Sequence, residues 1–157
     1  METAKLLVCV DGSRASLEAA RLAIDLARRW KSRIRAVYVL ETGELNGATD
    51  PELVARLREG GLSILARIVS LGAAEGVAVD QAVLEGVPFD VILADARAWG
   101  ADMIVMGRTG RTGPGRALLG SEAERVLEFS DRPVLIVPTT EVRVPVSSGG
   151  SPGIGRG

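Results

Sequence analysis

An α/β fold built on a parallel sheet is what the sequence predicts, on three observations. Five short apolar runs of strand length recur along the chain, and longer segments with apolar residues at helical spacing separate them. The length of 157 residues, with 46% hydrophobic and 25% charged residues, suits one soluble domain large enough to bury a core. The elements follow in order. Residues 5–10 (KLLVCV) form the first strand. Residues 13–31 form a helix on which Ala19, Leu22, Ala23, Leu26 and Trp30 share a face, with Ser13 as its N-cap. The second strand is 33–40 (RIRAVYVL). The second helix runs over 51–75, with Pro51 in the first helical position behind Asp50 as cap; Leu53, Leu57, Ile64, Ile68 and Leu71 recur at helical spacing, and Gly60–Gly61 weakens the middle. Strand 77–84, helix 88–99, strand 103–107, helix 121–130 and strand 133–138 complete the alternation. No internal repeat is visible. The domain is expected to occupy 1–140 and to leave 141–157 as a tail. There 142–146 (VRVPV) is an additional edge strand, and 147–157, rich in glycine, serine and proline, is too polar to pack.

Composition removes several classes of function. The net charge is −1 and aromatic residues make up 3%, so neither a basic field nor rings for stacking favour nucleic acid. Cys9 is the single cysteine and sits inside the first apolar run, which predicts a buried thiol and excludes a disulfide scaffold. No apolar stretch approaches the roughly 20 residues of a membrane span, and Met1 leads into Glu2 and Lys5 rather than a signal-type segment; a cytoplasmic protein without membrane association is expected. The chain has no histidine, which removes histidine-based triads, histidine metal ligands and the commonest general base.

The connection between the fourth strand and the fourth helix stands out. From Gly107 to Ser121 (GRTGRTGPGRALLGS) it holds five glycines and three arginines. Glycines there let backbone amides turn inward without a Cβ, and in an open parallel sheet this connection lies beyond the carboxyl ends of the strands, where helix N-termini attract anions. That position favours a phosphate site over a merely mobile connection. Two known phosphate motifs are excluded. Residues 110–117 imitate the spacing of a P-loop, but Arg116 and Ala117 replace the Lys-Ser/Thr pair; a dinucleotide fingerprint would need more than the one glycine found in the first turn, Gly12.

The spacing Gly107, Gly110, then nine residues to Gly120 and Ser121 resembles the G-x2-G-x9-G-[ST] nucleotide loop of the universal stress protein family. The resemblance extends over about residues 5–138, through a first strand that ends in an aspartate, Asp11, and a closing strand, 133–138. It implies a five-stranded parallel sheet of order 3-2-1-4-5 with helices on both faces, Rossmann-like, and an ATP site of the glycine-motif branch within the 1–140 domain. That order places strands one and four at the reversal point, with Asp11 beside Gly107. It also implies a homodimer, here through the last strand, from Val134 to Pro138. Position by position, the resemblance places the nucleoside on Cys9, Asp11 and the backbone of Val39, the ribose over Met106 and Gly107, and the phosphates on Gly110, Gly120, Ser121 and the backbone of Glu122. Taken as residues alone, Val39 and Met106 are also core residues, Cys9 is also packing, and Asp11 is also a cap for the first helix. Glu122 and Glu124 compete with a triphosphate for the positive helix end, whereas Arg108, Arg111 and Arg116 can neutralise phosphate oxygens. Mg²⁺ or Mn²⁺ would be held mainly through the phosphates, because no cluster of protein ligands is visible. The expected function is an ATP-dependent regulatory module in stress response. The alternatives are a slow ATP hydrolase and a dimeric interaction protein that binds no nucleotide. No particular protein partner is indicated.

Overall fold

A computed structural model of the chain describes residues 2–41, 50–109 and 119–139. In chain order these form β1 (Lys5–Cys9), α1 (Arg14–Trp30), β2 (Arg33–Glu41), α2 (Pro51–Ala74), β3 (Val79–Gly86), α3 (Pro88–Trp99), β4 (Met103–Gly107), α4 (Ser121–Phe129) and β5 (Val134–Val137). The sheet is parallel throughout, in the order β3-β2-β1-β4-β5. The tail strand expected at 142–146, the tail at 147–157 and Gly110 lie outside the described residues.

Strand alternation sorts the core into two layers. Leu6 and Val8 of β1 and Val10 just after it, with Ile34, Ala36, Tyr38 and Leu40 of β2, meet α1 and α2 on one face. Leu7 and Cys9, with Val37, Ile104 and Met106, meet α3 and α4 on the other. Both faces of the central strands are buried, which is why the sequence reads as continuous apolar runs there rather than as alternation. A bidentate ion pair from Arg35 to Asp95, with both contacts at 2.9 Å, ties β2 to α3.

The helix caps are as expected at two starts: Ser16 N–H donates to the Ser13 hydroxyl at 3.1 Å, and Glu52 N–H to the Asp50 carboxylate at 3.0 Å. The inward face of α1 is the one expected except at its last member, Trp30. Its buried residues are Ala15, Ser16, Ala19, Ala20, Ala23, Ile24 and Ala27, while Leu22 and Leu26 flank them and Trp30 is 53% exposed. The face is mostly alanine, with Ile24 the one large side chain buried among them, because a helix lying over the middle strands approaches them closely. Helix α2 buries both glycines and large side chains: Gly61 and Gly72 with Leu65 and Ile68, with Leu57, Ile64 and Leu71 packed beside them, while Leu53 is exposed. A helix of 24 residues is about 36 Å long, so its first turns overhang the strands. The glycine pair does not interrupt it.

Candidate functional site

The carboxyl ends of β1 and β4, where the strand order reverses, open into a cleft of about 740 Å³. Its floor and walls are set by where each strand stops. Strand β1 ends at Cys9, and the chain turns at once into α1 through Asp11, Gly12 and Ser13. That turn is braced by side chains: Ser13 N–H donates to Asp11 Oδ1 at 2.9 Å, Asp11 N–H donates to Ser16 Oγ at 3.2 Å, and Ser16 Oγ–H donates to the Ser13 carbonyl at 3.0 Å. Gly12 has φ +86°, a conformation that favours glycine. Asp11 therefore does serve the turn, and the same carboxylate lines the cleft.

Strand β2 runs four residues past the register of β1, which pairs Cys9 with Val37 and stops there. The Val37 carbonyl accepts from Val10 N–H at 2.9 Å, so it points toward β1. Because backbone groups alternate along a parallel strand, the N–H and C=O of Val39 point to the same side, beyond the end of β1 and over the cleft. The Val39 side chain packs in the α3–α4 layer, so its two expected roles belong to different atoms.

At the end of β4, Met106 is 5% exposed and forms part of the floor. Gly107 has a packing reason to be glycine: a Cβ there would lie 2.9 Å from the carbonyl carbon, the oxygen and the Cβ of Ala15, in the first turn of α1. The next residue joins the two ends of the glycine-rich connection. Arg108 N–H donates to the Val137 carbonyl at 2.9 Å, and the Arg108 carbonyl accepts from Gly120 N–H at 2.7 Å. Gly120 is the N-cap of α4 and no side chain caps this helix; Ser121 is already its first helical residue. Ser121 lines the cleft.

The site's electrostatics are mixed. Asp11, Glu41, Glu122 and Glu124 line the cleft together with Arg108 and Arg125. Burial pushes the Cys9 thiol well above its ordinary range, and the negative charges of Glu122, Asp11 and Asp95 push it further the same way. The floor is thus an uncharged thiol rather than a nucleophilic thiolate. Among the described residues no group of three or more His, Cys, Asp or Glu side chains is placed to hold a metal ion.

The structure brings Cys9, Asp11, Val39, Met106, Gly107, Arg108, Gly120, Ser121 and Glu122 around this one cleft. It also adds a wall that the sequence analysis missed, formed by Val87, Pro88 and Phe89 at the start of α3. The available signal was the stripe Phe89, Ile92, Leu93, Ala96, whose first member falls just after β3 ends and so stands at the carboxyl edge of the sheet. Chemically the cleft combines an apolar floor and wall with a glycine-lined helix start, which suits a flat apolar group joined to an anionic one.

Comparison with known proteins fits this geometry. The family model described as the universal stress protein family matches residues 2–138. The universal stress protein MJ0531 of Methanocaldococcus jannaschii is 39% identical over 137 residues, covering 85% of this chain and 81% of that protein. The solved structure of MJ0577 from the same organism superposes with a TM-score of 0.78 at 25% identity, covering 90% of this chain and 99% of its own. A universal stress protein from Archaeoglobus fulgidus, solved in complex with dAMP, has the same fold, with a TM-score of 0.62, 23% identity and coverage of 86% and 97%.

Proposed function

Because the chain belongs to the universal stress protein family, we propose that it is an adenine-nucleotide-binding module of the stress response, with ATP as ligand and nucleotide occupancy as the state that partners read. The observation that carries this is the bond from Gly120 N–H to the Arg108 carbonyl, which ties the start of α4, uncapped by any side chain, to the end of β4 in the cleft that Asp11 also lines. The dAMP complex of a protein with the same fold supports the ligand class.

In this arrangement the backbone of Val39 reads the base over Cys9 and Met106, and Asp11 reaches the ribose across Gly107. Gly110, Ser121, the backbone of Glu122 and the guanidinium of Arg108 take the phosphates, and Gly120, whose own N–H is given to the Arg108 carbonyl, leaves room for them to approach. Mg²⁺ or Mn²⁺ would enter on the phosphate oxygens. Hydrolysis is at most slow. The chain contains no histidine. Asp11 is engaged in the turn into α1, and Glu122 and Glu124 stand in the first turn of α4, where acidic residues stabilise a helix.

The test is mass spectrometry of protein purified without added nucleotide. A co-purifying adenine nucleotide is expected; protein that carries none and gains no thermal stability from ATP would contradict the proposal.

The two sheet edges differ in a way that bears on assembly. The β3 edge carries Asp80 and Glu85, paired with Arg33 and Arg58, and such charges discourage strand addition. The β5 edge is apolar, Val134 to Val137 followed by Pro138. We therefore expect a homodimer in which β5 meets its copy about a two-fold axis. Sedimentation at micromolar concentration should show the dimer, and a pure monomer would count against it.

A further inference from the structure

Phe89 is an aromatic residue of the cleft that no motif accounts for. It sits in the first turn of α3 and continues the inward stripe of Ile92, Leu93 and Ala96 by one turn, past the point where β3 ends. Ile92, Leu93 and Ala96 are buried in the layer on the sheet, and Phe89, half-buried at its edge, lines the cleft together with Ile92. Its ring is also held by α4, in part through Arg125, which lines the cleft as well. The Phe129 ring is stacked on it with centroids 5.5 Å apart, and the Arg125 guanidinium lies 5.3 Å from its centroid. Both come from α4, so two contacts with the neighbouring helix fix a ring that would otherwise be free to swing away. Phe89 belongs to the same apolar layer as Val39, whose backbone groups face the cleft.

We propose that Phe89 is a binding residue of this site, an aromatic wall against which the flat base of the ligand packs, held in place by Arg125 and Phe129. This rests on the nucleotide reading of the cleft and adds its base-side contact. A half-buried ring facing an apolar floor fits an aromatic heterocycle by offset stacking or an edge-to-face contact. Its contribution should not depend on phosphate number, because an aromatic ring packed on the base offers no donor to phosphate oxygens.

The experiment is a titration of the full chain with adenosine, AMP and ATP, comparing wild type with Phe89→Leu and Phe89→Ala. Phe89→Leu keeps an apolar filler, so the fold is checked by the melting temperature of the unliganded variant. The expected result is a loss of roughly tenfold in affinity for Phe89→Ala, of similar size for all three ligands and insensitive to salt, with Phe89→Leu restoring the melting temperature but not the affinity. In wild type the adenine H2 and H8 proton resonances should move on binding through the ring current of Phe89, and that part of the shift should vanish in Phe89→Leu. Full affinity with an unchanged proton shift in Phe89→Leu would overturn the proposal, because the ring would then be packing alone. A loss confined to ATP would overturn it too, by placing Phe89 at the phosphate end. If wild type binds none of the three ligands, the nucleotide reading itself falls, and this inference with it.

Discussion

Alanine at two adjacent positions is expected to change stability in opposite directions: Gly60→Ala should stabilise the protein and Gly61→Ala should destabilise it. Both glycines lie in the middle of α2, where glycine costs about 1 kcal/mol relative to alanine. At Gly60 an added Cβ meets nothing within 4 Å, so the substitution should recover about 0.5–1 kcal/mol. At Gly61 the same atom would lie 2.4 Å from Cδ1 and 2.6 Å from Cε1 of Tyr38. That ring is 5% exposed between α2 and β2 and cannot swing aside without opening the layer. Overpacking of this kind costs about 1–3 kcal/mol, which outweighs the gain in helix propensity. For a domain of this size each kcal/mol corresponds to about 2–4 °C. Thermal melting of the two variants should therefore bracket the wild type, and Gly61→Ala melting at or above it would show that α2 does not lie this close to the sheet.

The same pair shows what the sequence could and could not reveal. As letters, Gly60–Gly61 read as a weakness in a helix. In the fold one is a weakness and the other is what lets the helix touch Tyr38, a distinction that exists only once β2 lies beneath it. Strand positions were legible because both faces of β1 and β4 are covered, which leaves unbroken apolar runs. The inward face of α1 was legible at Ala19, Leu22, Ala23 and Leu26, and only Trp30, at the last turn of the helix, stands outside the core. The strand order came from the resemblance carried by Gly107, Gly110, Gly120 and Ser121 and not from periodicity. Of the cleft, the residues at the ends of β1 and β4 were legible because the glycine spacing and a strand-end aspartate mark them. Phe89 was not, since nothing in its neighbours distinguishes a wall residue from the first turn of an ordinary core helix. Gly107 carries a double meaning: its motif position points to ligand, and its contact with Ala15 would require glycine with no ligand at all.

Gly120→Val is the substitution expected to remove nucleotide binding. Gly120 has φ −67° and ψ 152°, extended backbone that valine adopts without strain, and glycine here supplies no side-chain cap to lose. The bonds from Gly120 N–H to the Arg108 carbonyl, at 2.7 Å, and from Glu124 N–H to the Gly120 carbonyl, at 2.9 Å, involve only backbone and can persist. What changes is access, because a branched side chain would stand on the cleft wall at the start of α4, where phosphate must approach the first amides. Gly120 is buried, so valine also adds volume, and the melting temperature of the unliganded variant measures that cost separately.

The most direct measurement is the melting temperature of wild type and Gly120→Val across a series of ATP concentrations in Mg²⁺. Wild type should rise with ATP, by about 2.7 kcal/mol of added stability at a hundred times Kd, while Gly120→Val, folded without ligand, should not respond. A wild-type protein that ignores ATP, or a Gly120→Val variant that responds as strongly as wild type, would contradict the account of this cleft as a nucleotide site built on the start of α4.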